Sequence, residues 1–478
     1  MADEVLLFVT YKPNPEARAD LLKIFELRSS REFLKAAAGT LRRHLGLSFE
    51  PTLRGVPTAD FVLAIDGVDD LSMATNDTFV FALGPVDPEQ ADVLFSLVTE
   101  PPKNLPVSDV HVAIDLPTGL SDVWCPGEAS FPLFGDINLA LTQMRAQAAA
   151  AKGAFGQNVN VVIIDQGINK DVLRKRFPGA NFVGGWATPE LGKGGPPGPP
   201  YDLIPPGAWP DDGLGPRVTH GTKMAGLVLA VAPTANIFDI ALLPSHILNL
   251  GPGTPSGFLS WALAVYLGLR GWIPLIQKLN PAYSGPWVLN NSWAVFDLST
   301  QGSHPPLYGN APGHQLNQAV ALLPSLGIAD VVFAAGNCGQ FCPDPRCAAA
   351  QIGPARSIYG AAALKDVLTV AAVRSDEIWL GYSSQGPTDP NFASTKPDLC
   401  APSQFAAADD WDRSFTGTST ACALTTGAIA AKRSMVSPGA LPPPALRAYA
   451  VQTARLVVNQ TAADERRGAG MINVAALV

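Results

Sequence analysis

Ser419 stands in a run of small residues, Ser414-Phe415-Thr416-Gly417-Thr418-Ser419-Thr420-Ala421-Cys422-Ala423-Leu424-Thr425-Thr426-Gly427. Such a run suits a helix buried against a sheet, where backbones must approach closely. Lys432 and Arg433 follow at its far end, where cations suit the negative end of a helix dipole. Ser419 therefore falls near a helix N-terminus. Free N–H groups and the positive dipole end favour a developing negative charge there. That is a setting for an attacking hydroxyl. The plain alternative is a Ser/Thr helix cap.

Three further stretches supply what a nucleophilic serine needs. Val161-Val162-Ile163-Ile164-Asp165-Gln166-Gly167 is an apolar strand that ends in an acid and a glycine turn. Thr219-His220-Gly221-Thr222-Lys223-Met224-Ala225-Gly226 opens an apolar helix with a histidine. Val331-Val332-Phe333-Ala334-Ala335-Gly336-Asn337 is an apolar strand that ends in an amide. Peptide hydrolysis by serine calls for a base, an acid that holds the base in one tautomer, and donors for the new oxyanion. Asp165 ends a buried strand, where a lone carboxylate is costly and a histidine partner relieves the cost. Gly221 leaves one face of the imidazole open. Read singly, His220 is equally a cap or core histidine, and Asp165 and Asn337 are turn residues.

Together, in the order Asp, His, Asn, Ser, the four stretches resemble the subtilisin-like serine proteases, the subtilases. The resemblance implies Ser419 as nucleophile, His220 as base, Asp165 as orienting acid and Asn337 as side-chain oxyanion donor. The backbone N–H of Ser419 is the implied second donor. Leu289-Asn290-Asn291-Ser292-Trp293-Ala294 resembles the family's cleft strand, whose backbone pairs with an extended substrate. Ser292, Trp293, Ala294, Ala335 and Gly336 are the implied substrate-binding residues. Tyr382-Ser383-Ser384-Gln385-Gly386-Pro387 and Lys396-Pro397-Asp398-Leu399-Cys400-Ala401-Pro402 resemble two further family signatures. The chain departs from the pattern at Lys223, where the family has His, at Ala294, where it has Gly, and after the serine, where Thr420-Ala421-Cys422-Ala423-Leu424 replaces Met-Ala-Ala-Pro-His. These departures touch substrate fit and remove no catalytic group. The implied chemistry needs no cofactor and no metal; structural calcium is left unassigned.

The elements that position these groups follow from periodicity. Residues 159–165, 236–242, 287–292, 330–336 and 367–373 read as strands. Helices are expected over 137–152, from His220, Ser256, His314 and Ser419, and after Pro444. Continuous apolar strands alternating with helices indicate a parallel sheet covered on both faces. Ligands in such folds bind beyond the carboxyl ends of the strands. The expected fold class is α/β, with the resemblance implying a subtilisin-like three-layer fold around a mostly parallel sheet, over residues 136–478.

A smaller α+β domain is expected over residues 1–115. Strands at 4–10, 60–65, 78–83 and 107–114 and helices at 17–45 and 88–97 make a split βαβ order. Such a domain matches a subtilase prodomain in element order, with inhibition of the peptidase by its own N-terminal domain as the implied consequence. A partner-binding sensor is the alternative. A proline-punctuated linker covers 116–135, and the Gly- and Pro-rich stretch 192–216 is a loop beside the cleft.

The 478 residues carry a formal net charge of -8 and exceed one typical core. That charge opposes binding to nucleic acid or an anionic membrane. The longest apolar run, residues 258–276, is interrupted by Arg270, Gly271 and Pro274. Met1-Ala2-Asp3-Glu4 lacks the basic start of a secretory signal, so a cytoplasmic protease acting on protein or peptide substrates is expected. The six cysteines are then expected to be mostly reduced. For the cluster Cys338, Cys342 and Cys347, free loop thiols are the first expectation, a local disulfide the second and a zinc site the third. A catalytically silent, subtilase-like binding module is the alternative from another functional class.

Overall fold

The computed structural model describes residues 5–24, 30–55, 78–99, 104–120, 133–187, 218–242, 257–302, 304–407, 411 and 414–478. The N-terminal unit runs β1 (Val5–Pro13), α1 (Pro15–Ile24), α2 (Ser30–Leu45), β2 (Leu53–Gly55), β3 (Phe79–Val86), α3 (Pro88–Thr99) and β4 (Val107–Ile114). Its antiparallel sheet has the order β2-β3-β1-β4. Residues 17–45, expected as one helix, form two. The strand expected at 60–65 lies outside the described residues, as does the loop 192–216.

Side chains along β1 alternate, as a pleated strand requires. Leu7, Val9 and Tyr11 pack with Leu21, Leu41 and Leu94 from the unit's own helices. Phe8 points the other way and joins a core that includes Val265, Leu316 and Val320. Both faces of this small sheet are therefore covered, which is why its strand reads as a continuous apolar run.

The chain continues with β5 (Pro117–Leu120), α4 (Ile137–Gln143), α5 (Gln147–Ala151), β6 (Asn160–Asp165), α6 (Lys170–Arg176), β7 (Asn181–Ala187), α7 (His220–Val231) and β8 (Asn236–Ala241). Next come β9 (Gly257–Phe258), α8 (Leu259–Leu279), β10 (Trp287–Asn291), β11 (Trp293–Ala294), α9 (Gln315–Ser325) and β12 (Asp330–Ala334). Then follow β13 (Leu368–Arg374), β14 (Leu399–Ser403), β15 (Phe405–Ala406), β16 (Ser414–Phe415), α10 (Gly417–Arg433), α11 (Pro443–Thr453) and α12 (Val474–Leu477). The seven-stranded sheet, ordered β14-β13-β12-β10-β6-β8-β7, is parallel throughout. Val161 and Ile163 face the core shared with α7 and α10, whereas Val162 and Ile164 face the core shared with α8 and α9. This is the expected three-layer α/β arrangement.

Further helix expectations change, and the one from Ser256 begins at Leu259. Residues 137–152 split into α4 and α5, because Arg145 between them has φ +58°. The helix expected from Ser419 begins two residues earlier, at Gly417. Helix α8 is by length and hydropathy able to cross a membrane, yet Trp261, Tyr266 and Trp272 are buried in the protein core. The N-terminal unit docks at the start of this helix. Asp115 is fully enclosed, accepts from Ser260 N at 2.9 Å and Ser260 Oγ at 2.7 Å, and is paired with Arg54. The Arg54 guanidinium also stacks on the Phe258 ring at 4.2 Å. Burial pushes the Asp115 carboxyl up, and Arg54 opposes that push.

Candidate active site

Strands β12, β10 and β6 are neighbours in the sheet. Their carboxyl ends bring Asn337, Ser292 and Asp165 to one rim, where ligands of open parallel sheets are expected. Asp165 is fully buried and its carboxylate meets His220 Nδ1 at 2.8 and 2.9 Å. An ionised carboxylate beside Nδ1 requires the proton on Nδ1, which leaves Nε2 as the basic lone pair.

Helix α7 places His220 at its first residue. Its cap is Thr219, whose Oγ1 accepts from Thr222 N at 3.0 Å and donates to Gly167 O at 2.5 Å. His220 N donates to Gln166 Oε1 at 2.9 Å, and Gln166 N donates to Asp165 Oδ1 at 2.7 Å. The turn after Asp165 thus holds both members of the pair. Gly221 also serves this turn, since a Cβ there would stand 2.5 Å from Gly167 O. A threonine directly before an apolar helix is the signal by which Thr219 could have been found. Gln166 carries no sequence signal for its role.

Ser419 is the third residue of α10 and fully buried. The helix cap is Thr416, so Ser419 is not the cap. Ser419 Oγ donates to Ser292 O at 3.2 Å, and Ser292 Oγ donates to Ser419 O at 3.3 Å. The small residues of α10 allow close approach, at Gly427 to a helix rather than to the expected sheet: a Cβ there would stand 2.8 Å from Val228 O of α7.

Asn337 follows β12 and is fully buried. Its Oδ1 accepts from Thr418 N at 3.0 Å and Thr418 Oγ1 at 2.9 Å. The amide is thereby oriented, and its Nδ2 donor has no partner among the described residues. Thr418 also accepts from Gly336 N at 3.2 Å. Nothing in the sequence marked Thr418 for this task. Trp293, Ala294, Ala335, Gly336 and Asn337 line one small cavity of about 20 Å³.

The strand expected to line the cleft is paired. Residues Trp293 and Ala294 of β11 lie antiparallel to Leu120 and Gly119 of β5, and β5 pairs on its other side with β9. A four-residue piece of the expected linker therefore runs between β9 and β11.

Behind Asn337 the expectation of free thiols is overturned. Cys338 and Cys347 form a disulfide with an S–S distance of 2.03 Å, and Cys342 is disulfide-bonded as well. Cys400 and Cys422 are free and buried, and burial pushes the Cys422 thiol up to about 12.

A seven-stranded parallel sheet flanked by helices on both faces defines an α/β protein. The chain belongs to the subtilase family of serine endopeptidases, whose family model matches residues 156–470. Among solved structures it is similar to fervidolysin from Fervidobacterium pennivorans, a keratinolytic enzyme related to subtilisin. The identity is 16%, the TM-score 0.52, and the match covers 100% of this chain and 61% of that one. A cold-adapted subtilisin-like serine proteinase matches with 19% identity and a TM-score of 0.42, over 67% of this chain and 90% of that chain. No curated protein matches the sequence.

Proposed function

We propose that the chain hydrolyses peptide bonds of protein or peptide substrates through Ser419, His220 and Asp165. The observation that carries this is the buried Asp165–His220 contact at 2.8 Å in a chain of the subtilase family. Ser419 Oγ attacks the carbonyl carbon while its proton passes to His220 Nε2. Asp165 keeps the Nδ1 tautomer and stabilises the imidazolium. Asn337 Nδ2 and the Ser419 N–H donate to the oxyanion. His220 then returns the proton to the leaving amine, and water repeats the sequence on the acyl ester. No cofactor enters these steps. Labelling by a fluorophosphonate probe that requires Ser419 tests the reading; a folded wild type that stays unlabelled even after its N-terminal unit has been cut away would make the chain a silent binding module.

The same reading makes residues 1–115, together with the β5 segment that follows them, an internal inhibitor. Its support is β5, which occupies the slot that an extended substrate would take by strand addition. The bonded cysteines behind Asn337 favour an oxidising compartment over the cytoplasm as the working location.

A further inference from the structure

The strand lying in the cleft reports what the slot will accept. Gly119 is buried and lies opposite Ala294. A Cβ on it would stand 2.6 Å from Arg346 Nη1 and 3.2 Å from Phe296 Cε2. The first distance is closer than any Cβ tolerates and the second is tight enough to need a shift of a few tenths of an ångström, so the outcome depends on whether Arg346 can withdraw.

Arg346 is held by Asp344 and by the Phe296 ring. Its Nε donates to Asp344 Oδ1 at 2.8 Å and its Nη2 to Asp344 Oδ2 at 2.7 Å. Its guanidinium carbon lies 3.9 Å from the centre of the Phe296 ring. Asp344 is itself buried, and its N–H donates to Asn337 O at 2.8 Å. The disulfide between Cys338 and Cys347 closes the loop that carries both residues. A bidentate fork on a buried carboxylate resists rotation more than a lone charge would. The Arg346 side chain is 40% exposed, so the selecting force is steric rather than the strength of the ion pair.

We propose that Arg346 is a specificity-determining residue that makes this cleft select glycine at the substrate position opposite Ala294. The proposal rests on reading the slot between β9 and β11 as the substrate groove. A side chain at that position must push the guanidinium off Asp344 or off Phe296. Glycine alone leaves both contacts in place, as Gly119 does.

The test uses the full chain as wild type, Gly119→Leu, Arg346→Ala and the double variant. Hydrogen exchange of the β5 amides reads seating of the strand without any turnover. Gly119→Leu should lose protection by about tenfold or more, the scale of an overpacking clash. Arg346→Ala should stay protected, and the double variant should regain protection, which a merely misfolded Gly119→Leu would not do. Cleavage of a peptide library, read by mass spectrometry, gives the second measure. Wild type should enrich glycine about tenfold at one fixed position within three residues before the cut. Arg346→Ala should lose that enrichment while still turning over glycine-bearing peptides. Undiminished protection in Gly119→Leu, or glycine selection that survives in Arg346→Ala, overturns the proposal. Absence of turnover in every variant would sink the peptidase reading alone, and the exchange data would still decide the role of Arg346.

Discussion

Replacing Asn337 by alanine should do two separable things. The side chain is fully buried, and its two ends have different tasks. Its Oδ1 satisfies both the N–H and the hydroxyl of Thr418, at 3.0 and 2.9 Å. Losing that acceptor leaves buried donors unpaired at about 1–3 kcal/mol each, partly relieved by water entering the new space, so a net loss of about 2–3 kcal/mol is expected. Its Nδ2 meets the oxyanion in the proposed mechanism. Removing the corresponding donor in subtilisin lowers kcat by about 10²–10³, and a similar loss is expected here. Urea melts give the first quantity, and saturation kinetics on a peptide substrate give the second. Thr418→Ala is the partner experiment. It keeps Nδ2 but removes one of the two anchors of Oδ1, so about 1 kcal/mol of stability and less than about tenfold in kcat should be lost. A change confined to KM in Asn337→Ala would mean that the amide binds ground-state substrate. Stability equal to wild type would refute the anchoring role drawn from Thr418.

Four further outcomes follow from the same geometry. Ser419→Ala and His220→Ala should each lower kcat by about 10⁶, as measured in subtilisin. Asp165→Asn should cost about 10⁴ through the wrong tautomer; single-turnover kinetics with active-site titration would check both, and full activity in Ser419→Ala would remove the nucleophile assignment. Intact mass should show the wild type divided between Leu120 and Ile137 and Ser419→Ala whole, whereas an intact and fully active wild type would leave the N-terminal unit as a docking module. Asp115→Ala strands the Arg54 charge beside Ser260 and Phe258, a break of about 3–5 kcal/mol; limited proteolysis should then attack the N-terminal unit sooner, and unchanged resistance would argue against the latch. Burial pushes His314 down to about 3, below an ordinary value of about 6.5. The unfolded chain therefore binds the extra proton first, so this stability is complete above about pH 6.5 and is lost as pH falls towards 3. Denaturant melts across that range should show a shallower decline in His314→Gln, and an identical slope would exclude His314 as the cause.

The rim of the main sheet was legible because its strands are buried on both faces. Val161 to Ile164 read as one apolar run, and the first polar group after it, Asp165, had to be a strand end. The same logic placed Asn337 after β12. Edge strands gave less: β7 carries two glycines, and β14 contains a proline. Helical spacing across 17–45 and 137–152 could not show the breaks, since apolar period says nothing about one residue such as Arg145 with positive φ. The pairing of Cys338 with Cys347 was only one of several open choices, because connectivity depends on the fold. Strand β5 was invisible for a different reason. Pro117-Thr118-Gly119-Leu120 is placed by backbone partners on both sides, and backbone pairing leaves no hydrophobic pattern.

That placement also bears on how the chain avoids sticking to itself. An uncovered strand edge is a row of unpaired N–H and C=O groups, a template for any extended polypeptide. Strands β9 and β11 present two such edges facing one slot, and β5 closes both at once. A form that had lost β5 would carry an open slot able to zip up a loose terminus from a neighbouring copy as readily as a substrate. Storage at high concentration would then favour head-to-tail strings of molecules over monomers. Covered by its own chain, the slot offers no edge for such strings to start from.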